Sequence, residues 1–200
     1  DQLSVSCTVI GQDASGAQQT WAQPTTSLVE EGATAADLSE RVFKQAGIGA
    51  DVQTGSYGWF LNSLTSPFNK NVTLSTVQVN ESTWKSWQFF VNGKMANVGA
   101  GNYTLKAGDK VSWVYGSDGT MPGQTKASLR IIGVDSGGNV QTWAPAADYT
   151  MVDTATVADA TELAFKQSDI FADYGTGTWG WFLNSITSPF DGRTLAWDST

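Results

Sequence analysis

The sequence predicts an α+β fold in which one helix packs on a mixed or antiparallel sheet, and it predicts that this arrangement occurs twice. Three observations support the prediction. An eleven-residue string is repeated, each copy contains one strong helix signal, and several short runs rich in Val and aromatic residues are separated by turn residues. The order of elements in the first copy is two strands, one helix and then several strands.

The repeated string is GWFLNSLTSPF at Gly58–Phe68 and GWFLNSITSPF at Gly180–Phe190, 122 residues later. Only Leu64 and Ile186 differ. The shorter strings QTWA and FKQ recur at the same spacing. A self-match at a fixed offset indicates a duplicated domain.

The duplication sets the predicted boundaries. We predict a first domain at residues 1–118, a linker at 119–125 that contains Gly and Pro, and a second copy at 126–200. The strands that follow the string in the first copy have no counterpart in the second. We therefore expect the second copy to be incomplete at its C-terminus, with strand edges that can pair with a neighbouring chain.

The first hairpin is predicted from an alternating, Val-rich strand at Leu3–Ile10, the turn GQDASG, and a returning strand at Gln18–Leu28. Cys7 lies in the first of these strands and is the chain's one cysteine, so it cannot form an internal disulfide. We expect it to be a small buried apolar residue.

The helix of the first copy is predicted to begin at Thr34, whose hydroxyl can cap it together with Asp37 three residues later. Apolar residues then recur at helical spacing up to Ala46, and Gly47 suits a left-handed C-terminal cap. Thr156 and Asp159 repeat the start signal in the second copy.

The rest of the first copy predicts strands separated by turns. Pro67 ends the strand in the repeated string, and Asn92-Gly93 is a strong hairpin signal. The predicted strands are Tyr57–Leu64, Val72–Val79, Trp87–Val91, Tyr103–Leu105 and Lys110–Tyr115.

Composition restricts the function. The net charge is −8 and the pI is near 4.3. We therefore expect no nucleic-acid partner, because phosphate binding needs clustered Lys and Arg. No run approaches the roughly 18 apolar residues that span a bilayer. The low charge, the near absence of cysteine and the Ser, Thr and Gly content predict an extracellular or cell-surface protein of a bacterium.

Enzymatic chemistry is not predicted. The chain has no histidine, which removes the common nucleophile–base pairs and imidazole metal ligands. The carboxylates Asp37 and Glu40 are expected to complement the helix dipole. Asp13 and Asp135 lie in loops without the ligand spacing of a calcium site, so we expect turn-forming roles for them and no metal or cofactor.

The aromatic residues are the most informative candidates. On a strand, alternate side chains face opposite sides, so Trp87 and Phe89 share one face and Phe90 takes the other. One helix covers a single face, so an exposed aromatic binding surface is predicted. The candidate ligand-binding residues are Tyr57, Trp59, Trp84, Trp87 and Phe90 in the first copy, and Trp179 and Trp181 in the second.

The strings WQFFVNG, NVGAGNYTL and GDKVSWVY, at 87–93, 97–105 and 108–115, together resemble the signature of transcobalamin C-terminal-like domains. The resemblance covers the first copy almost wholly and the second as far as it extends. It implies a β-grasp-related fold for each copy and raises cobalamin, or another tetrapyrrole, as a ligand. In those vitamin carriers a separate helical domain closes the site, and this sequence has none.

Three hypotheses follow. The repeats favour a non-enzymatic binding or adhesion module of a surface or secreted protein, whose partners would dock on sheet edges. The aromatic residues of the first copy favour a carrier of a small ligand such as cobalamin, or a carbohydrate-binding module. A small molecule, a glycan and a surface protein therefore all remain as partners.

Overall fold

A computed structural model describes residues 1–197. The chain divides into two compact units. The first comprises Asp1–Thr125 together with Met151–Ala155, and the second comprises Lys126–Thr150 and the residues from Thr156 onward. The segment predicted as a linker is partly held by the first unit, because the Gly119 amide donates to Gln88 Oε1 at 3.0 Å.

The first unit contains nine strands, one α-helix and a short 3-10 helix at Ala100–Asn102. In chain order the α-helix and strands are β1 (Gln2–Gln12), β2 (Gln18–Glu30), α1 (Ala35–Ala46), β3 (Gly49–Gly55), β4 (Gly58–Thr65), β5 (Thr73–Ser75), β6 (Val77–Asn80), β7 (Thr83–Val91), β8 (Lys94–Met95) and β9 (Lys110–Gly116).

These strands form two sheets. The larger has the order β2-β1-β9-β7-β6, with β8 paired to β7, and the smaller has the order β3-β4-β5. β1 pairs antiparallel with β2 and parallel with β9, in a register that places Val9 opposite Trp113. The first and last long strands of the unit are therefore neighbours at the middle of the larger sheet.

The two helices begin as predicted. Thr34 Oγ1 accepts from the Asp37 amide, and the Asp37 carboxylate accepts from the Thr34 amide at 2.8 Å. Thr156 and Asp159 form the same reciprocal cap on α2 (Val157–Gln167). Each cap satisfies amides that the first helical turn leaves without partners. α1 also ends as predicted, at Gly47 with φ 70°.

The core of the first unit lies between the two sheets and beneath α1. Fully or nearly fully buried side chains from all three meet there, including Val9 and Val111 of the larger sheet, Leu64 of the smaller sheet, and Leu38 of the helix. Cys7 is completely buried in this core, as predicted. A second, small cluster of Ile10, Phe90, Val114 and Val152 covers the opposite face of the larger sheet.

The second unit contains most of β10 (Gln124–Val134) and β11 (Val140–Val152), whose outer ends belong to the first unit. It also contains α2, β12 (Ala172–Gly177), β13 (Gly180–Thr187) and β14 (Thr194–Ala196). β10 pairs with β11, and β12-β13-β14 form a second sheet. The bounds of β10, β11 and β13 lie 122 residues after those of β1, β2 and β4. Within residues 126–197 no strand corresponds to β7 or β9.

The predicted fold class, α+β with two β-grasp-like domains, is wrong. Strands account for 54% of the residues and helices for 13%, and the strands are divided among several sheets, so the architecture is closer to a β-sandwich. The physical reason is that a second sheet does much of the covering that was assigned to the helix. Leu61 and Leu64 of the smaller sheet are buried against the larger one, and α1 covers only part of that face.

Candidate functional site

An open groove of about 360 Å³ lies in the first unit, between β4, β7 and the segment that follows β8. We call it the aromatic groove. Its floor consists of Trp87, Phe89 and Trp113. One wall is formed by β4, and the other by the residues from Met95 to Ala100. The lining residues are Trp59, Phe60, Leu61, Thr76, Ser86, Trp87, Phe89, Met95, Ala96, Val98, Gly99, Ala100 and Trp113.

The floor is set by strand pairing. Phe89 on β7 lies directly opposite Trp113 on β9, and their rings stack with centroids 5.1 Å apart and an interplanar angle of 27°. Trp87 precedes Phe89 by two residues and therefore points to the same side of the sheet. Its ring packs on Trp21 and on Tyr115, with both centroid distances at 5.4 Å. These contacts fix the orientation of the rings in the floor.

Hydrogen bonds fix the polar edges of these rings inside the protein. Trp113 Nε1 donates to Ser39 Oγ at 2.8 Å, and Trp87 Nε1 donates to the Leu74 carbonyl at 2.8 Å. The Tyr115 hydroxyl donates to the Ser75 carbonyl at 2.8 Å, and burial raises the pKa of Tyr115. Because these donors are already satisfied, the floor offers a ligand mainly apolar ring surface.

Trp59, in the wall formed by β4, links that strand to α1. Its Nε1 donates to Glu40 Oε1 at 2.6 Å, and its ring centroid is 5.9 Å from that of Trp113. The segment containing Gly101 passes close to it, since a Cβ added at Gly101 would lie 2.8 Å from Trp59 Cβ. Only glycine permits this approach, so Gly101 brings the loop wall against β4.

The rim of the groove is apolar and open to solvent. Phe60 is 55% exposed, Met95 is 52% exposed and Val98 is 43% exposed. Exposed apolar side chains are common singly, but here three surround one opening. The lining residues named above include no ionisable side chain, and Thr76 and Ser86 supply its hydroxyl groups. The groove therefore suits an uncharged ligand with considerable apolar surface.

Of the five candidate residues predicted in the first copy, the structure places two in the groove, Trp59 and Trp87. Tyr57 is fully exposed in the turn between β3 and β4, and Trp84 is 53% exposed where β7 pairs with β6. Phe90 is fully buried on the opposite face of the sheet, as alternation on β7 predicts, and it has no exposed surface to offer a ligand.

Sequence reasoning missed several lining residues. Trp113 and Phe89 were present in the strand patterns, and their pairing across β7 and β9 is the feature that assembles the floor. Met95 and Val98 lie in a stretch without regular periodicity, so no sequence signal placed them at the rim.

The two candidate residues of the second unit, Trp179 and Trp181, lie in different surroundings. Trp179 is 98% exposed in the turn between β12 and β13. Trp181 is partly buried, and its Nε1 donates to Glu162 Oε1 at 2.9 Å. Its ring packs on Tyr174 at 5.6 Å. Burial, together with the nearby Glu162 charge, raises the pKa of Tyr174 to about 12.

Acidic groups in the described residues do not converge on a cation site. Among residues 1–197, no cluster of three or more His, Cys, Asp or Glu side chains is placed to hold a metal ion. Asp13 Oδ1 accepts from the amides of Ser15 and Ala17, and Asp135 Oδ1 does the same for Gly137 and Asn139. These bonds lower the pKa of Asp135 and close tight turns.

No helix within residues 1–197 combines the length and apolar character needed to cross a membrane. Residues 32–117 match the model of a domain family described as a domain of unknown function, DUF4430. This stretch contains the whole aromatic groove.

Among solved structures, a crystal structure of haptocorrin in complex with Cbi is similar to the chain at 19% sequence identity, with a TM-score of 0.40. The match covers 57% of this chain and 25% of the haptocorrin chain, so the chain spans about a quarter of that protein's length. No curated protein sequence matches the chain.

Proposed function

We propose that the first unit is a non-catalytic module that binds a small, uncharged and largely apolar or aromatic molecule in the aromatic groove. One observation carries the proposal. Aromatic rings from two sheets, Trp59 from one and Trp87, Phe89 and Trp113 from the other, line a single open cavity with an apolar rim. Concave, mainly apolar sites with a few polar groups are the usual form of small-molecule sites.

Size limits the ligand. A volume of about 360 Å³ lies at the lower end of the roughly 300–1,000 Å³ typical of ligand pockets. A single aromatic ring system with short substituents fits this space. Cobalamin as a whole is far larger than this volume, so it would rest one face or one edge of its corrin on the rim formed by Phe60, Met95 and Val98. Tight binding of a corrin would then need a second surface to cover its other face.

We also propose that the module is one of two tandem copies in an extracellular or cell-surface protein of a bacterium. Two features support the duplication: the near-identical strings at Gly58–Phe68 and Gly180–Phe190, and the strands that begin and end 122 residues apart. Repeated modules suit adhesion, because they extend the reach of a surface protein. The absence of histidine from the sequence supports a non-enzymatic role.

Carbohydrate binding is a second candidate, favoured by a different observation. Tyr57 and Trp179 occupy equivalent positions in the two hairpin turns and are 100% and 98% exposed. Such rings contribute almost nothing to packing. A flat, fully accessible ring can stack on the apolar face of a sugar, so each turn offers a place for a glycan.

The test is a calorimetric titration of the intact chain with three probes: Nile red as a neutral aromatic molecule, cobalamin, and a panel of polysaccharides. We expect Nile red to bind, and the double substitution Phe60→Ala and Met95→Ala to weaken binding about tenfold or more. Both side chains are about half exposed, so the fold should survive. Val79→Ala, at a 54% exposed position away from the groove, is the matched control.

The outcomes separate the candidates. Binding that is unchanged in the Phe60 and Met95 variant would contradict the groove as the site, and so would the absence of binding by both Nile red and cobalamin. Polysaccharide binding that is lost in Tyr57→Ala with Trp179→Ala, but kept in the groove variant, would establish the second candidate.

A further inference from the structure

We propose that the ligand of the aromatic groove is a peptide in extended conformation. One apolar side chain of the peptide enters the groove, and the peptide backbone pairs with Trp87 on β7. The inference rests on the proposed function of the first unit and names the chemical class of its ligand. It also assigns Lys85 and Lys94, which lie beside the groove, to acidic side chains of the same peptide.

The edge of β7 that borders the groove has a gap in its strand pairing. On this side β6 pairs with β7 as far as Lys85, and β8 begins to pair at Phe90. The Ala96 amide also donates to the Phe89 carbonyl at 3.0 Å. Within the part of the chain that the structure describes, no strand pairs with Ser86–Gln88 on this side, although β9 pairs with them on the other.

The backbone groups of Trp87 point into this gap. In an antiparallel pair the N–H and C=O of one residue point toward one neighbouring strand, and those of the next residue point the opposite way. The Asn92 amide donates to the Lys110 carbonyl on the β9 side, whereas the Phe89 carbonyl accepts from Ala96 on the β8 side. Even-numbered residues of β7 therefore bond to β9, and Trp87, like Phe89, directs its N–H and C=O away from β9.

β4 presents a second open edge, in a wall of the groove. β5 pairs with β4 only from Ser63 to Thr65. Among the described strands, the stretch from Trp59 to Asn62 therefore has β3 on one side and none on the other. Trp59, Phe60 and Leu61 of this stretch line the groove. The groove thus has unpaired backbone along both β7 and β4, which is the feature that strand-adding peptides recognise.

These backbone groups favour a peptide over a ligand made only of apolar surface. A hydrocarbon seated on the rings would remove water from the Trp87 N–H and C=O without replacing its hydrogen bonds, and unpaired buried polar groups cost free energy. A residue of an extended peptide supplies both a donor and an acceptor at the spacing of a strand pair. It also places its side chain on the same side of the sheet as the Trp87 ring.

The volume of the groove accommodates one such residue. About 360 Å³ is enough for one aromatic or large aliphatic side chain with the peptide groups on either side of it. The side chain would lie among the rings of Trp87, Phe89 and Trp113, which line the groove. The gap in β7 is three residues long, so the flanking parts of the peptide leave the sheet toward solvent.

Charge beside the groove favours an acidic peptide. The chain has a net charge of −8, yet the ionisable neighbours in sequence of the lining residues are Lys85 and Lys94. Lys85 shares the side of Trp87 by alternation, and Lys94 lies opposite Val91 and therefore on the same side. At roughly 3.3 Å per residue, they lie about 7 Å and 13 Å from Trp87 along β7, on opposite sides of it. Carboxylates that flank the seated residue can reach them.

The experiment uses the capped pentapeptide acetyl-Glu-Ser-Phe-Ser-Glu-amide and the intact chain. Its two carboxylates lie on the same side as the phenyl ring, so either direction of the peptide presents one to each lysine. We expect the peptide to displace Nile red from the groove. Amide exchange measured by NMR should slow about tenfold or more at Trp87 when the peptide is bound, while Ser86 and Gln88, already bonded to β9, keep their rates.

Two control peptides test the backbone and the charge separately. Methylation of the Phe nitrogen removes the N–H that donates to the Trp87 carbonyl, and should weaken binding about fivefold. Replacement of both Glu by Lys should weaken binding about fivefold or more at low salt. Lys85→Met together with Lys94→Met should remove most of the difference between the acidic and basic peptides. Lys70→Met, at an exposed position outside the lining, is the matched control.

The outcomes separate this proposal from the function on which it rests. If Nile red binds but the pentapeptide neither binds nor displaces it at about 1 mM, the peptide proposal is overturned and the groove remains a ligand site. If neither binds, both fail. Protection of residues 77–80 in place of Trp87 would put the peptide on the outer edge of β6 and overturn the proposal, as would equal binding by the N-methylated peptide. Equal binding of the acidic and basic peptides would overturn the role of the two lysines.

Discussion

Trp59 Nε1 donates to Glu40 Oε1 at 2.6 Å, and Trp181 Nε1 donates to Glu162 Oε1 at 2.9 Å. In each unit this bond links the strand of the repeated string to the first half of the helix. Glu40 therefore does more than complement the helix dipole. It orients an indole that, in the first unit, forms a wall of the aromatic groove.

We predict that Glu40→Ala destabilises the first unit by about 1–2 kcal/mol, because the indole loses a charged acceptor. Glu40→Gln should cost less, since an amide oxygen can still accept. Urea unfolding monitored by tryptophan emission measures both variants. If Glu40→Gln and Glu40→Ala were equally destabilised, the hydrogen bond would not be the cause.

Ser39 is predicted to be critical for the core. Its hydroxyl accepts a hydrogen bond from Trp113 Nε1 and donates one to the Ala35 carbonyl. The Ser39 side chain is completely buried. Ser39→Ala leaves the indole N–H without a partner, so we expect a loss of about 1–3 kcal/mol in the free energy of unfolding. Ser56→Ala, in the exposed turn beside Tyr57, is the control and should be nearly neutral. A neutral Ser39→Ala would mean that water replaces the hydroxyl.

Burial of Cys7 predicts a specific pH dependence. Burial raises the pKa of the Cys7 thiol to about 12 from 9.0. Above pH 9 the unfolded chain therefore loses a proton that the folded chain keeps, so stability falls as pH rises. At pH 10.5 the loss should be roughly 2 kcal/mol, and it should be absent in Cys7→Ala. Urea unfolding of both proteins, measured at several pH values from about 7 to 10.5, checks this. A difference in unfolding free energy between the two proteins that stays constant over this range would exclude the effect.

Gly11 is predicted to admit no side chain. A Cβ at this position would overlap the indole of Trp21, and Gly133 stands in the same relation to Trp143. We expect Gly11→Ala to destabilise the unit by about 1–3 kcal/mol, because the ring must move within a packed core. Gly55→Ala meets nothing within 4 Å and is the control. Calorimetric Tm values distinguish the two, and equal values would show that the ring relocates freely.

Features set by neighbouring residues could be predicted from the sequence. The reciprocal caps at Thr34 and Thr156, the glycine cap at Gly47 and the Asn92-Gly93 turn each depend on a few consecutive side chains. The alternation on β7 correctly separated Phe89 from Phe90. These patterns encode local geometry, and the structure preserves them.

Features that depend on distant pairing could not be predicted. β3 has a glycine at each end and few apolar residues, so it becomes a strand only because β4 pairs with it. The layering of two sheets, which overturned the predicted fold class, depends on contacts between distant strands that no local pattern reveals, such as the packing of Trp59 on β4 against Trp113 on β9. The rim residue Met95 lies on a two-residue strand whose position is fixed entirely by β7.

The parallel pairing of β1 with β9 has a consequence for synthesis of the chain. Ser6 and Lys110 are partners although they are about 100 residues apart. As the chain leaves the ribosome, β1 emerges first and then waits with one edge unpaired until β9 follows. We therefore expect the first unit to complete its fold only after β9 has been synthesised, and to fold slowly. Until then the β1–β2 hairpin has an unpaired edge, so we expect it to be a substrate for chaperones.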